Sequence, residues 1–396
     1  MGILQRYIIE ELLKVFFLAL VSLTALLLFI GLGQQAIREG LGFVPLLKAI
    51  PYLLPNALRF AIPGTILFAV CNVYGRVSAS NELTAIKAAG ISPISLIAPG
   101  LILALILSLV CVWLNDVAVS WGHMGLRHVV MQSIDDIAYS VLRTKKSFYS
   151  DKFSILVKDV EGDLLIRPEI TMTKSGDQGM VTISAATAKL ESDPLHKRVM
   201  VTLTDSRIHS TGPEGQLFEH PGSFVTSIPL EDPTAVEGIR DASHQPMRRI
   251  PVWQAKMKSY HHQVSQVLAA KGAACLVTGQ SPSIDDPSWL YWTNEQQWSK
   301  VQISRLKTEP HRRWANGFSC LCFTLLGIPL AIRQRSNDFI TSFFTAFLPV
   351  LLLYYPLMAL GVDRAKDGDW PAAMVWLGNV VVIAVGGWLL HRTMKN

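Results

Sequence analysis

The chain has 396 residues, of which 50% are hydrophobic and 17% are charged, and its formal net charge is +6. Soluble domains usually contain about 25% charged residues, so this composition points away from an ordinary soluble protein. The positive excess is modest, and the basic residues do not interleave with aromatic residues in a patch. This pattern excludes nucleic-acid binding as the main activity.

Six apolar segments dominate the sequence. A bilayer core about 30 Å thick needs roughly 20 apolar helical residues to cross it. Six segments meet this length, and only the second contains a charged residue, Arg59: 15–32, 51–75, 93–114, 314–332, 339–362 and 370–390. The first segment is too long for a signal-peptide core and follows two acidic residues, Glu10 and Glu11, so we predict a retained helix. The sequence thus predicts six membrane crossings, three on each side of a polar middle.

The flanking charges predict the orientation of these crossings. Six crossings place both termini on one side, and the short loops there carry more basic residues than the loops on the other side. The first set is Arg6, Lys14, Arg76, Lys87, Arg333, Arg335, Arg392 and Lys395, and the second is Arg38, Lys48, Arg364 and Lys366. Because Lys and Arg mark the cytoplasmic side, we expect cytoplasmic termini and an extracytoplasmic middle. Arg312 and Arg313 violate this count and are interpreted as local functional or interface residues.

The polar middle begins with a β pattern, from about residue 148 to 235. Short segments rich in β-branched residues predict strands at 153–157, 164–172, 180–185, 199–204 and 224–228. Turn-type residues separate them at 161–163, 175–177, 212–215 and 221–222. The pattern predicts a module of antiparallel strands, either a sandwich or an open barrel. Helical patterns return at 252–273 and 288–308, with a loop at 279–287.

These elements predict an α+β membrane protein divided into three parts. Residues 1–115 form an N-terminal membrane half, with three crossings and a short helix at about 78–92. Residues 116–310 form an extracytoplasmic β domain with connecting helices, and residues 311–396 form a C-terminal membrane half with three crossings.

Enzymatic motifs are missing from the sequence. It has no GxxxxGK[ST] phosphate loop, no GxSxG elbow and no HExxH metal helix. Four of the five cysteines lie in apolar segments, where packing is the simplest role, and no zinc-type spacing occurs. The adjacent pairs at 261–262 and 285–286 are interpreted as surface residues. We therefore expect no catalytic residue, metal or cofactor, and any ATP hydrolysis must occur on a separate subunit.

Three segments together resemble one family, the LptF/LptG permeases of the lipopolysaccharide exporter. They are Arg6-Tyr-Ile-Ile-Glu10, the stretch Tyr74-Gly-Arg-Val-Ser-Ala-Ser-Asn-Glu-Leu-Thr-Ala-Ile-Lys-Ala-Ala-Gly-Ile-Ser92 preceded by Pro55 and Pro63, and Thr308-Glu-Pro-His-Arg-Arg-Trp314 leading to Leu326-Gly-Ile-Pro-Leu330. The order of three helices, a β domain and three helices also matches, so the resemblance covers essentially the whole chain.

The resemblance implies a function and a set of partners. In this family two permeases sit on a cytoplasmic ABC ATPase dimer in the bacterial inner membrane. They extract lipopolysaccharide, and a periplasmic β-jellyroll passes this glycolipid to a periplasmic bridge component. The segment after Leu330 reads Ala-Ile-Arg-Gln-Arg, and the chain is not assigned to the F or the G branch. The second permease is a different family member or another copy of this chain.

The segment 78–92 is the candidate for ATPase coupling. It is rich in small residues, which let a partner approach closely, and Glu82 is its single acid. A carboxylate there can accept charge-assisted hydrogen bonds from an ATPase groove. The candidate coupling residues are Glu82, Ala85, Lys87 and Gly90, and Gly90 suits the left-handed residue that closes a helix. The alternative interpretation is a solvated helix face in which Glu82 lies beside Lys87.

Five basic residues are candidates for binding a glycolipid headgroup: Arg38, Lys48, Arg59, Arg312 and Arg313. A cation inside a membrane helix usually has a function, because it costs about 2.5–3.5 kcal/mol at the helix centre. The alternative for Arg59 is a side chain that reaches the interface, and the other four can equally be interface anchors.

Two other classes of function compete with transport. The chain can be a membrane-anchored enzyme with a hidden site in the β module, or a scaffold or sensor. The missing catalytic motifs disfavour an enzyme, and a scaffold has no need of a coupling segment. Copurification with an ATPase that carries Walker motifs would separate transport from both.

Overall fold

The computed structural model describes most of the chain. The described residues are 2–39, 42–126, 129, 139, 142–143, 146–149, 153–173, 180–193, 198–210, 217–229, 242–278, 287–334 and 339–395. They divide into two compact units. The helical unit consists of Met1–Leu28, Tyr52–His123 and Glu237–Asn396, and the strand unit of Phe29–Pro51 and Met124–Val236.

Ten α-helices are found in the described residues. In chain order they are α1 (Ile3–Glu39), α2 (Phe43–Ala79), α3 (Glu82–Ala88), α4 (Ile94–Val117), α5 (Ile250–Thr278), α6 (Pro287–Gly317), α7 (Ser319–Gln334), α8 (Phe339–Pro349), α9 (Tyr355–Asp367) and α10 (Leu377–Lys395). A π-helical turn, Ala118–His123, extends α4, and another, Val350–Tyr354, joins α8 to α9. Three short 3-10 helices, Ala242–His244, Met247–Arg249 and Ala372–Trp376, precede α5 and α10.

Six stretches of helix are long and apolar enough to cross a membrane, which confirms the predicted number. They are Ile3–Ile37, Phe43–Ala79, Ile94–Leu126, Pro287–Gln334, Phe343–Asp367 and Ala372–Lys395. Several are longer than a crossing requires. At 1.5 Å per residue, the 37 residues of α2 extend about 56 Å, so one end of α2 lies outside a hydrocarbon core about 30 Å thick.

The longest stretch joins a connecting helix to the fourth crossing. The helix predicted to end at residue 308 continues to Gly317, and only one residue separates it from α7. Pro310 lies inside α6 and cannot donate a hydrogen bond to the carbonyl of Leu306, four residues earlier. That carbonyl instead accepts a hydrogen bond of 3.0 Å from the side-chain amide of Gln254 on α5. The long-range contact therefore compensates for the proline.

Helices α5 and α6 form an antiparallel hairpin. Their polar contacts run along its length, from Gln254 with Leu306 at one end to Lys271 with Ser288 at the other. Between these, the hydroxyl of Tyr260 donates a hydrogen bond of 2.7 Å to Glu295. Burial and this carboxylate raise the pKa of Tyr260 to about 12, so its hydroxyl remains a donor at neutral pH.

The helical unit has two faces, which we name by their elements. The terminal face contains the start of α1, the end of α2, α3 and the end of α10, which pack into one apolar cluster with α4 and α7. The hairpin face contains the end of α4 and the part of the hairpin where α6 leads into α7. Four cysteines, Cys71, Cys111, Cys320 and Cys322, are buried as free thiols between these faces.

The strand unit contains one eight-stranded antiparallel sheet, which is curled into a half-barrel. Its strands are β1 (Ser147–Tyr149), β2 (Phe153–Leu156), β3 (Asp159–Glu161), β4 (Leu164–Ile166), β5 (Glu169–Thr173), β6 (Met180–Asp193), β7 (Arg198–Ser210) and β8 (Leu217–Pro229). Neighbouring strands pair in the order β1-β2-β5-β6-β4-β3. Strand β7 lies off this path and pairs with both β6 and β8. This confirms the predicted antiparallel β module, whose last predicted residues, 230–235, lie outside the described residues.

One predicted strand and one predicted break in the β module differ from the structure. The segment 164–172 is two strands, because Arg167 adopts φ 48° before Pro168 and both β4 and β5 pair with β6. The turn expected at 221–222 is wrong, since β8 continues through it. Gly222, at φ 99°, donates its N–H to the carboxylate of Asp205 across a register shift between β7 and β8. The Pro-Gly pair thus marks a bulge within a strand.

Candidate functional site

The segment after α2 forms the short helix α3 by well-defined local contacts. Asn81 adopts φ 58° and ends the preceding helix, and α3 begins at Glu82. The hydroxyl of Ser80 donates a hydrogen bond of 3.0 Å to the Glu82 carboxylate. Gly90 adopts φ 76°, and its N–H bonds to the carbonyl of Lys87 at 3.0 Å. The N–H of Ile91 donates a second hydrogen bond to the carbonyl of Ile86, five residues earlier, so a Schellman motif closes α3.

One side of α3 is packed and the other is open. Leu83 is buried and Ile86 is partly buried against the apolar cluster of the terminal face. Glu82, Ala85 and Gly90 are exposed, and Lys87 is half-buried. A Cβ atom added to Gly90 would meet no atom within 4 Å. The four candidate coupling residues therefore lie on a single short segment with three of them open to a partner.

The segment is connected to several spanning helices at the terminal face. The hydroxyl of Ser78 donates a hydrogen bond of 2.7 Å to the carbonyl of Ile332 on α7. Arg76 forms an ion pair of 2.8 Å with Glu11 on α1. Leu83 packs on the same cluster, so contacts at the terminal face connect α3 and the end of α2 with α1 and α7.

At the hairpin face, Arg313 joins three parts of the helical unit. Its guanidinium donates to the Asp116 carboxylate of α4 at 3.2 Å and to the backbone carbonyls of Ser243 and Gln245. Asp116 also accepts a hydrogen bond of 2.9 Å from the N–H of Met247. Only 3% of the Arg313 side chain is exposed. Arg313 therefore fixes the segment before α5 against α4 and α6.

Glu309 lies at the centre of the same group of charges. Its side chain is fully buried, and its Oε2 accepts two hydrogen bonds from Arg312, at 2.9 and 3.2 Å. Its Oε1 accepts a hydrogen bond of 3.3 Å from the hydroxyl of Ser243, and Arg313 Nε lies 3.8 Å from Oε2. Both oxygens thus have partners, as a stable buried carboxylate requires. We call Asp116, Glu309, Arg312 and Arg313 the hairpin-face network.

Arg59 lies within electrostatic range of this network. Its charge interacts with Arg312, Arg313 and Glu309. The side chain is half-buried, its guanidinium lies 4.7 Å from the ring centroid of Phe60, and its Nε has no hydrogen-bond partner in the described part of the chain. Arg59 therefore adds a third cation near the network without a direct bond to either carboxylate.

The other two headgroup candidates belong to the strand unit. Lys48 lies on the first part of α2 and is exposed. Arg38 is on α1, where the structure describes its backbone but its side chain lies outside the described residues. Of the five candidates, the structure thus groups Arg59, Arg312 and Arg313.

The chemistry available in these regions is recognition of charge. Among the described residues, no three histidine, cysteine, aspartate or glutamate side chains are grouped to hold a metal ion. The hairpin-face network together with Arg59 offers three cations against two carboxylates. Such an arrangement can pair with an anionic group that reaches Arg59 or Arg312, whose side chain is 28% exposed.

The cations of this network were predicted from the sequence, but its two acids were not. Glu309 precedes Arg312 and Arg313 by three and four residues, a spacing that places them on one helix face. This spacing was a usable signal. Asp116 is distant in sequence from Arg313 and gave no local signal of its role.

A comparison with protein families places the chain. The family described as lipopolysaccharide export system permease LptF/LptG matches residues 6–392. A comparison with curated proteins found no match. Because the family match spans nearly the whole chain, the chain belongs to the LptF/LptG family of lipopolysaccharide export permeases.

Proposed function

We propose that this chain is the membrane subunit of an ABC-type exporter that extracts lipopolysaccharide, or a related glycolipid, from the inner membrane. The observation that carries this proposal is the family match over residues 6–392, on a chain with six candidate membrane helices and an antiparallel sheet. The energy comes from a separate cytoplasmic ATPase dimer, and the strand unit passes the lipid to a periplasmic bridge component.

The ATPase binds at α3 in this proposal. Glu82, Ala85 and Gly90 are the open positions, with Lys87 beside them, while Leu83 holds the helix on the bundle. A partner that grips the exposed side can therefore move the spanning helices through the buried side. This arrangement matches what a coupling element must do.

The lipid headgroup is recognised at the hairpin face. Arg59 and Arg312 offer partly accessible guanidinium groups to phosphates, and Arg313 and Glu309 hold them in place through the hairpin-face network. Lys48 and Arg38 are further candidates on the strand unit. The terminal face is then cytoplasmic and the hairpin face periplasmic.

A second permease completes the assembly. Within one 18-residue apolar stretch of each span, only 11% of Ile3–Ile37 and 22% of Phe343–Asp367 is buried within this chain, against 72% for Pro287–Gln334. Their apolar surfaces are covered by lipid or by a second permease, which is another family member or a second copy.

Reporter fusions test the proposed orientation. A fusion of alkaline phosphatase after Gly222, in β8, is expected to be active, because the strand unit is periplasmic in this proposal. A fusion after Lys395, at the end of α10, is expected to be inactive. Green fluorescent protein at the same two positions should give the reverse pattern. Active phosphatase at Lys395 would contradict the orientation.

Purification of the tagged full chain tests the function. We expect an ATPase with Walker motifs and a second permease to copurify, and lipopolysaccharide to be found in the complex by mass spectrometry. Release of lipopolysaccharide from proteoliposomes should require ATP. A chain that purifies without an ATPase and binds no glycolipid would contradict the proposal.

Replacing Arg59 by alanine tests headgroup recognition. Arg59 donates no hydrogen bond to another described residue, so its loss removes no such bond from the folded protein. A charged hydrogen bond to a phosphate contributes about 1.5–3 kcal/mol. We therefore expect lipopolysaccharide release to fall about tenfold while the melting temperature stays unchanged. The Arg59→Lys variant keeps the charge and should retain most activity. Unchanged release with a lowered melting temperature would show a structural role instead.

A further inference from the structure

Two neighbouring arginines precede the hairpin helix α5, and no described residue forms an ion pair with either of them. Arg248 and Arg249 end a 3-10 helix, and both are exposed. Within the described part of the chain, no carboxylate forms an ion pair with either of them. By contrast, Arg312 and Arg313 of the hairpin face pair with Glu309 and Asp116, and Arg364 of α9 pairs with Asp369.

Two contacts join the segment before these arginines to two of the candidate membrane helices. Met247 donates its N–H to Asp116, which follows the exposed Trp113 by three residues on α4. Gln245 accepts a hydrogen bond from Arg313, whose neighbour Trp314 begins an uncharged apolar segment. Exposed tryptophans are enriched at the membrane–water interface.

Arg248 and Arg249 therefore lie one or two residues from a segment held at the interface. The headgroup layer on each side of a bilayer is about 5–8 Å thick. Exposed guanidinium groups at this level would face lipid headgroups rather than bulk solvent.

A third cation continues the same side of the hairpin. Lys256 is exposed, lies seven residues after Arg249, and thus comes close to the same helix face two turns along. Its ammonium group lies 5.1 Å from the ring centroid of Trp253. At 1.5 Å per residue, Lys256 is about 10 Å further along α5, which is roughly one Debye length. We call Arg248, Arg249 and Lys256 the basic stripe.

We propose that the basic stripe binds the phosphates of anionic phospholipids, of the phosphatidylglycerol class, in the leaflet on the hairpin face. A zwitterionic lipid has a cationic group that opposes this attraction, whereas an anionic headgroup supplies a counterion that the described residues do not provide. The contact would hold the hairpin at a defined angle to the membrane, because the stripe covers the start of α5 and the short helix before it, and α6 continues into a spanning helix. This site uses none of the residues assigned to the transported lipid, and it does not depend on transport.

Photolabelling in nanodiscs tests this proposal on the full chain. The nanodiscs contain no lipopolysaccharide and carry either phosphatidylglycerol or phosphatidylcholine with a photoreactive headgroup, and the labelled peptides are mapped by mass spectrometry. We expect phosphatidylglycerol to label the peptides around residues 245–258 more than phosphatidylcholine does. Raised salt should reduce this preference, because dissolved ions screen the attraction between the basic side chains and the anionic headgroups.

Two matched variants separate the stripe from general charge effects. Replacing Arg248 and Arg249 together by glutamine should reduce the phosphatidylglycerol label on these peptides by about an order of magnitude. Replacing Lys271 and Lys300 by glutamine removes the same charge from the same hairpin, but about 20 Å or more from Trp314, and should leave the label unchanged. The Arg248→Lys, Arg249→Lys variant should retain it.

Three results would overturn the proposal. One is equal labelling by both lipids in the natural protein. Another is an equal loss of label in the Lys271 and Lys300 variant. The third is complete displacement of the label by added lipopolysaccharide but not by added phosphatidylcholine, which would assign the stripe to the transported glycolipid.

Discussion

Replacing Glu82 by alanine is expected to weaken the association of the ATPase or to separate ATP hydrolysis from lipid release. Glu82 is the single acid of the segment 78–92 and is exposed at the start of α3. In the proposed complex its carboxylate becomes buried against a charged or N–H donor of the ATPase. Truncating one partner of such a pair costs about 2–5 kcal/mol. Copurified ATPase should therefore fall at least about tenfold, or lipid release per ATP should fall by a similar factor.

The fold should not change in this variant. The helix is held by Leu83 and by the closing bonds around Gly90, neither of which involves the Glu82 carboxylate. The one described hydrogen bond that is lost comes from the Ser80 hydroxyl. Ser80→Ala is thus the matched control, because it removes this bond but keeps the carboxylate.

The Glu82→Gln variant separates charge from shape. If the partner is a cation, the glutamine variant should lose nearly as much association as the alanine variant. Normal ATPase association and normal lipid release in both variants, with Ser80→Ala also unaffected, would show that Glu82 is a solvated residue and would refute the coupling role.

The spanning helices were predictable because their signal is local. Each crossing needs an uninterrupted apolar run, and the sequence contains six of them. The helix ends were less predictable, because α2 and α6 continue beyond the apolar run into polar sequence. At Pro310, Gln254 from another helix donates a hydrogen bond to the carbonyl that the proline leaves free. No local pattern predicts that contact.

The β module shows the same limit. Its long strands were detected, but β1 and β3 are three residues each, too short to give an alternating pattern. The Pro-Gly pair at 221–222 has the local chemistry of a turn. It lies within β8 because Asp205 on the neighbouring strand binds the N–H of Gly222. Pairing between strands thus overrides a local turn signal.

The cations of the candidate site could be predicted from the sequence, but the acids with which they pair could not. The sequence showed that Arg312 and Arg313 violate the expected charge distribution, and the structure provides a physical reason: both interact with Glu309, and Arg313 also binds Asp116. One buried acid, Glu309, and one half-buried acid, Asp116, therefore accompany the unexpected cations. The role of Asp116 depends on the packing of α4 against α6, which the sequence does not display.

Replacing Glu309 by alanine is expected to cause the largest loss of stability in the helical unit. The carboxylate is fully buried and has contacts to Arg312, Arg313 and Ser243. Its removal leaves Arg312 and Arg313 without this counterion at a site with little access to water. The positive charge of Arg59 also acts on this site. Breaking a buried ion pair by removing one partner costs about 3–5 kcal/mol. The melting temperature of the purified full chain in detergent should therefore fall clearly.

A double-variant cycle shows whether the loss comes from the uncompensated charge. Combining Glu309→Ala with Arg312→Ala should destabilise the protein less than the sum of the two single variants, because the second change removes one of the cations that the first leaves unpaired. Glu10→Ala is the control, since Glu10 pairs with Lys14 on the exposed surface of α1 and its loss should leave the melting temperature unchanged. If the Glu309→Ala protein is as stable as the natural one, this carboxylate is not a needed counterion. If the effects in the cycle are additive, Arg312 and Glu309 act independently.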